Sequence, residues 1–83
     1  MDHHCKVIAL VLDNRSEDAP EVQKVLTAHG CLFRARLGLP GGPACSNQGL
    51  IVLVVEGTAE ELAAFLTDLA RFPQVKVHQA AVC

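Results

Sequence analysis

The sequence contains no tryptophan and no tyrosine, and its only aromatic residues are Phe33, Phe65 and Phe72. Any core must therefore be aliphatic, built from Val, Leu, Ile and Ala around three rings. A basic excess is also missing. The formal net charge is −2, whereas a nucleic-acid binder gains most of its affinity by neutralising phosphates with Lys and Arg; neither DNA nor RNA is expected as a direct partner. The longest unbroken apolar runs are six residues, Val7–Leu12 and Leu50–Val55, far short of the roughly 20 that cross a bilayer. No basic segment leads into an apolar one at the start, so no secretory signal is expected and the chain is read as cytoplasmic. No C-x-x-C pair occurs among Cys5, Cys31, Cys45 and Cys83, and in a reducing cytosol all four are expected as free thiols.

Half of the residues are hydrophobic, too many for a disordered chain. The length of 83 residues suits one domain with a modest core, read as a short tail (1–5) followed by a folded unit (6–82). Lys6–Leu12 is an unbroken apolar strand. Asp18, with Pro20 and Glu21 after it, opens a helix whose Val22, Val25, Leu26 and His29 share one face, and Gly30 ends it. Cys31–Leu39 alternates: Phe33, Ala35, Leu37 and Leu39 are expected on a core-facing side, Arg34 and Arg36 on the other. A ten-residue turn, Pro40–Gly49, leads to the second unbroken strand, Leu50–Val55. Thr58 and Glu61 form a capping box ahead of a helix with Leu62, Phe65, Leu66 and Leu69 on its apolar face. Phe72-Pro73 stops it, and Val75–Ala80 is a last strand.

The order β-α-β-β-α-β is that of an α+β, ferredoxin-like sandwich: a four-stranded antiparallel sheet, strand order 4-1-3-2, with both helices on one face. The two unbroken strands are then the central ones. A central strand whose second face meets water should alternate apolar and polar residues, and these do not. About three apolar side chains from each would lie on the open face, a patch on the order of several hundred Å², which monomers seldom expose. A homo-oligomer, dimer or tetramer, packed through the sheet follows as the expectation.

Catalytic signals are weak. Cys45 and Ser46 are nucleophiles with no His or acid nearby in sequence to activate them, and the PGGP turn lacks the Gly-Lys-Ser/Thr of a phosphate loop. No catalytic residue, resident metal or cofactor is assigned. Arg34 and Arg36, read as projecting together onto the open face, are candidates for an anion clamp or for interface ion pairs. His3, His4 and Cys5 carry metal-binding donors at the start of the chain, but no His/Cys spacing matches a structural zinc site.

The segments KVIALVLDNR, RLGLP and GLIVLVVEGTAEELAAFLTDLARFPQVKVHQA resemble the iron-only hydrogenase system regulators, small proteins akin to ACT domains and to the C-terminal domain of nickel-responsive repressors. The resemblance covers about residues 6–82; Arg36-x-Gly38-x-Pro40 and Val75-Lys76-Val77 are its more particular pieces. It implies an ACT-like fold, oligomeric assembly and a ligand-sensing regulatory role, with Asn14, Arg34, Arg36 and Gly38 as candidate ligand or interface residues. The nickel-binding relatives carry His-x-His on the second strand, where this chain has Arg34-x-Arg36, and a Cys where the third strand begins, here Gln48-Gly49. The loop after the first strand, Asp13–Ser16, lacks the Gly of amino-acid-binding ACT domains. A regulatory module taking a small-molecule effector is thus the leading expectation. A structural adaptor that binds another protein, and a metal-binding sensor, are the alternatives.

Overall fold

The computed structural model of the protein describes residues 2–13, 17–40 and 48–83. Asn14 and the turn carrying Cys45 and Ser46 lie outside the described residues. The elements are β1 (His4–Asp13), α1 (Ala19–Ala28), a short 3-10 turn (Gly30–Leu32), β2 (Phe33–Pro40), β3 (Gln48–Gly57), α2 (Ala59–Leu69) and β4 (Lys76–Ala81). One antiparallel sheet has the order β2-β3-β1-β4, as expected of a ferredoxin-like chain. β1 starts at His4, three residues before the apolar run Val7–Leu12, because the ladder with β3 extends to His4↔Gly57.

Alternation divides the two central strands between two environments. Ile8, Leu10 and Leu12 of β1 and Ile51, Leu53 and Val55 of β3 are buried, together with Val22, Val25 and Leu26 of α1 and Leu62, Phe65 and Leu69 of α2. Phe65 is the centre of this layer, with Phe33 edge-on at 5.3 Å and His29 tilted at 5.2 Å between ring centroids. The intervening residues, Val7, Ala9, Val11, Leu50, Val52 and Val54, are half-buried on the opposite face. Three apolar side chains per central strand therefore lie on the open face, as their unbroken hydrophobicity implies.

The helix ends differ. At α2 the capping box forms: Glu61 N–H donates to Thr58 Oγ1 at 3.1 Å, and Thr58 N–H donates to Glu61 Oε1 at 2.9 Å. Gly57 leaves room for it, since a Cβ there would come within 2.9 Å of Leu32 Cδ2 and 3.2 Å of Glu61 Oε1. At α1 the Asp18 side chain makes no capping hydrogen bond. Its backbone is already in the helical region (φ −79°, ψ −15°), which is not the extended geometry from which a cap side chain reaches back. Two helix-to-helix contacts lock the layer: His29 Nε2 lies 2.7 Å from Asp68 Oδ2, and the same imidazole packs on Phe65.

The second strand departs from the expected pattern. The pairing with β3 shifts between Phe33↔Val55 and Ala35↔Val54, so Arg34 is the extra residue of a β-bulge. An inserted residue inverts the facing of all that follow. Phe33 packs against the core, but Leu37 and Leu39, opposite Val52 and Leu50, turn to the open face and are 55% and 43% exposed. The expectation that Phe33, Ala35, Leu37 and Leu39 form one buried side is therefore corrected: only Phe33 does so.

Candidate functional site: the open sheet face and its corner

The open face is a continuous apolar surface. Ala35, Leu37 and Leu39 of β2 extend the stripe formed by Leu50, Val52 and Val54 of β3 and by Val7, Ala9 and Val11 of β1. On β4 the neighbours become Ala80, His78 and Lys76. A shallow groove of about 210 Å³ lies there between Val7, Ala9, His78, Gln79 and Ala80. Grooves of about 230 Å³ (His4, Lys6, Ala59, Leu62, Ala63, Leu66) and 300 Å³ (Ala28, His29, Cys31, Leu32, Glu61, Ala64) occur beside α2. Each is at or below the small end of ligand pockets.

The candidate arginines do not act together. The bulge separates them: Arg34 Nη1 reaches Glu56 Oε2 at 3.6 Å, while Arg36, opposite Leu53, turns to the helix side and donates from Nη2 to Gln23 Oε1 of α1. A shared clamp on the open face is excluded by that division. Gly38 also faces the helix side, opposite Ile51, where a Cβ would meet nothing within 4 Å.

A cluster that sequence spacing did not bring together lies at the end of the face marked by Glu56. Cys5 is opposite Glu56 in the ladder, and His3, two residues before Cys5, falls on the same side. His3 Nε2 is 3.4 Å from Glu56 Oε2, and one donor atom each from His3, Cys5 and Glu56 lie within 4.8 Å of one another. Cys5 is disulfide-bonded to Cys83, with Cα atoms 5.4 Å apart, so the expectation of four free thiols fails for this pair. Its cause is the antiparallel β1–β4 ladder, which continues past Lys6↔Ala81 to a hydrogen bond from Val82 N–H to the Cys5 carbonyl at 3.1 Å. Cys31 is a free, exposed thiol. Glu56 and Cys83 carried no signal of this site in the sequence, because only the strand register joins them to the amino-terminal donors.

The segment before β1 is anchored on the other side of the sheet. Asp2 Oδ2 accepts from Ala59 N–H at 3.0 Å, at the first turn of α2, and Asp2 Oδ1 lies 2.6 Å from His4 Nε2. The Ala59 N–H, and then the His4 ring, hold the Asp2 carboxyl below its ordinary value of 3.8. A carboxylate at a helix N-terminus is favoured by the unsatisfied amides and by the helix dipole.

No polar or charged side chain is fully buried among the described residues. Among the described residues, no helix is long and apolar enough to cross a membrane. The strand order and the two helices on one face define a ferredoxin-like α+β module. More particularly, a family model matches residues 4–79, and the chain belongs to that family, TM1266-like, described as "Iron-only hydrogenase system regulator, putative". No curated protein matches the chain. The solved structure of the uncharacterized protein TM1266 from Thermotoga maritima is similar at a TM-score of 0.86 and 18% identity, over 99% of this chain and 100% of that one. The C-terminal domain of the MgtC protein from Mycobacterium tuberculosis is similar at 0.65 and 15%, over 95% and 87%. CPII from Thiomonas intermedia K12, a nitrogen regulatory PII-like protein bound to ADP, AMP and bicarbonate, is similar at 0.60 and 16%, over 98% and 93%. At these identities the likeness extends to the fold.

Proposed function

We propose that the protein is a small regulatory, ligand-sensing module that works as a homo-oligomer, joined through the open face of its sheet, within an iron-only hydrogenase system. The observation that carries this reading is the apolar face itself: Val7, Ala9, Val11, Leu50, Val52 and Val54 in the central strands, bordered by the exposed Leu37 and Leu39. A stable subunit contact removes about 800 Å² from water on each partner, and a second copy of the same self-complementary face is the simplest cover. The family description supports a regulatory role. The absence of a buried ionisable side chain among the described residues favours binding over catalysis, since catalytic acids and bases are tuned mainly by burial and close charges.

The effector is a small molecule held where subunits meet. Grooves of 210–300 Å³ suit half of a shared pocket better than a whole one. Adenine nucleotides head the screen, because CPII, which shares the fold, is bound to ADP and AMP; amino acids and divalent metals follow. Light scattering at micromolar concentration tests the assembly, where a dimer or tetramer is expected and a monomer overturns it. Thermal-shift measurements test the sensing, with a rise in Tm expected for one ligand class and none for any class counting against it. A monomer that captures a different protein through this face would favour the adaptor reading.

A further inference from the structure

Three donor atoms suited to a soft or borderline cation, one each from His3, Cys5 and Glu56, lie within 4.8 Å of one another at one corner of the open face. Strand geometry sets them: His3 and Cys5 share a side of the β1 segment, and Glu56 lies opposite Cys5. Cys83, bonded through sulfur to Cys5, is the candidate for a fourth ligand. A disulfide sulfur is a poor ligand, whereas the thiolates it yields on reduction are among the best for zinc. We propose that reducing the Cys5–Cys83 disulfide opens a metal site made of Cys5, Cys83, His3 and Glu56, that it takes a thiophilic divalent cation of the zinc type, and that oxidation closes it. Neither the oligomer nor the small-molecule effector enters this inference.

One pair of these donors already stands at the spacing of a tetrahedral ion. With nitrogen and oxygen ligands at about 2.0–2.2 Å from zinc, a tetrahedral N···O edge is about 3.4 Å. The His3 Nε2–Glu56 Oε2 separation is 3.4 Å, long for a hydrogen bond and already that of two ligands on one ion. The two sulfurs must part to about 3.8 Å, the edge set by Zn–S bonds of about 2.3 Å. Cys83 lies two residues beyond the end of β4, so its side chain can swing without breaking the sheet. Two thiolates and a carboxylate around a divalent ion leave one net negative charge, and Arg34, 3.6 Å from Glu56 Oε2, offsets it while orienting the carboxylate. The Asp2–Ala59 hydrogen bond holds the segment that carries His3.

The chemistry is thiol–disulfide exchange followed by metal entry. Two equivalents of a cellular thiol each give up one electron and one proton; the Cys5–Cys83 bond breaks, two cysteine thiols form, and the reductant leaves as its own disulfide. The incoming cation then displaces one proton from each thiol, so two protons are released per ion bound. In a thiol-rich compartment the metal-competent form is the resting one, and an oxidised thiol couple running the exchange in reverse would expel the metal.

The test uses the untagged full chain carrying Cys31→Ser and Cys45→Ser, so that only Cys5 and Cys83 remain. Reduced with a phosphine, it is expected to bind one zinc or cobalt(II) per chain, the cobalt form showing thiolate charge-transfer absorption. Disulfide-bonded protein is expected to bind about 100-fold more weakly. His3→Ala and Glu56→Gln, neither of them in the core cluster, should each weaken binding by about 10-fold or more. No uptake by the reduced chain overturns the proposal. So does equal affinity in the two redox states, or undiminished affinity in both His3→Ala and Glu56→Gln. Circular dichroism on Cys5→Ser and Cys83→Ser separates lost ligation from lost fold.

Discussion

The two faces of the sheet are built from alternate residues of the same strands, yet they serve opposite ends. Under the helices, Ile8, Leu10, Leu53 and Val55 are completely buried within one subunit. On the other side, Val7, Ala9, Val52 and Val54 are as apolar but only half-covered. Intrinsic strand preference cannot separate the two sets, since both are aliphatic and both include β-branched residues. What separates them is where their partners come from: the first set finds them in its own chain, and under the proposed function the second takes them from another copy. Stability should therefore reside on one face and association on the other.

Neighbouring residues of β3 give the sharpest way to break that comparison. Leu53→Ala, at a site with no exposure, is expected to cost about 2–5 kcal/mol from lost transfer energy and the cavity left behind, a large share of the marginal stability of a small domain. Urea denaturation followed by circular dichroism measures it. Val52→Lys, one residue away on the open face, should leave the folded subunit within about 1 kcal/mol, because the long side chain can carry its charge into water. It should raise the subunit dissociation constant by roughly 100-fold, as a charge forced into the apolar centre of an interface does. If light scattering finds the assembly unchanged in Val52→Lys, the open face is not the interface.

The α2 capping box predicts a smaller, purely local effect. Thr58→Ala removes the acceptor of the Glu61 N–H and is expected to cost about 1 kcal/mol. A circular-dichroism melt of Thr58→Ala indistinguishable from that of the unaltered protein would mean that the box adds nothing to α2.

The places where sequence reading succeeded and failed follow from the range of the interactions. Val7–Leu12 and Leu50–Val55 announce both the central strands and the unpartnered face, because alternation is a local pattern and its absence is visible in six residues. The Thr58-x-x-Glu61 box is equally local. Arg34 defeats the same logic. Its strand alternates cleanly, and nothing in the composition marks the extra residue, yet the bulge turns Leu37 and Leu39 outward and sends Arg36 to Gln23. The corner site fails for distance: Cys5 and Cys83 are 78 residues apart, and Glu56 joins them only through the β1–β3 register. His3 and Cys5 were recognisable as donors, but no local spacing could supply the other two.

The smallest predicted effect concerns how the amino-terminal donors are held near that corner. Asp2 is exposed, and its carboxyl is held below 3.8 by the Ala59 N–H and the His4 ring. A carboxyl whose folded-state value is lowered contributes stability above its unfolded value and loses it as the pH falls through the folded one. The anchor should therefore be intact at neutral pH and released only in acid, below about pH 4. In NMR titrations the Ala59 amide is expected to shift with the Asp2 carboxyl, at a midpoint below that of an unperturbed aspartate. Asp2→Asn should abolish the titration while leaving the sheet resonances in place. A midpoint at or above the ordinary aspartate value would mean that the carboxylate does not cap α2, and that His3 is held near Glu56 by β1 alone.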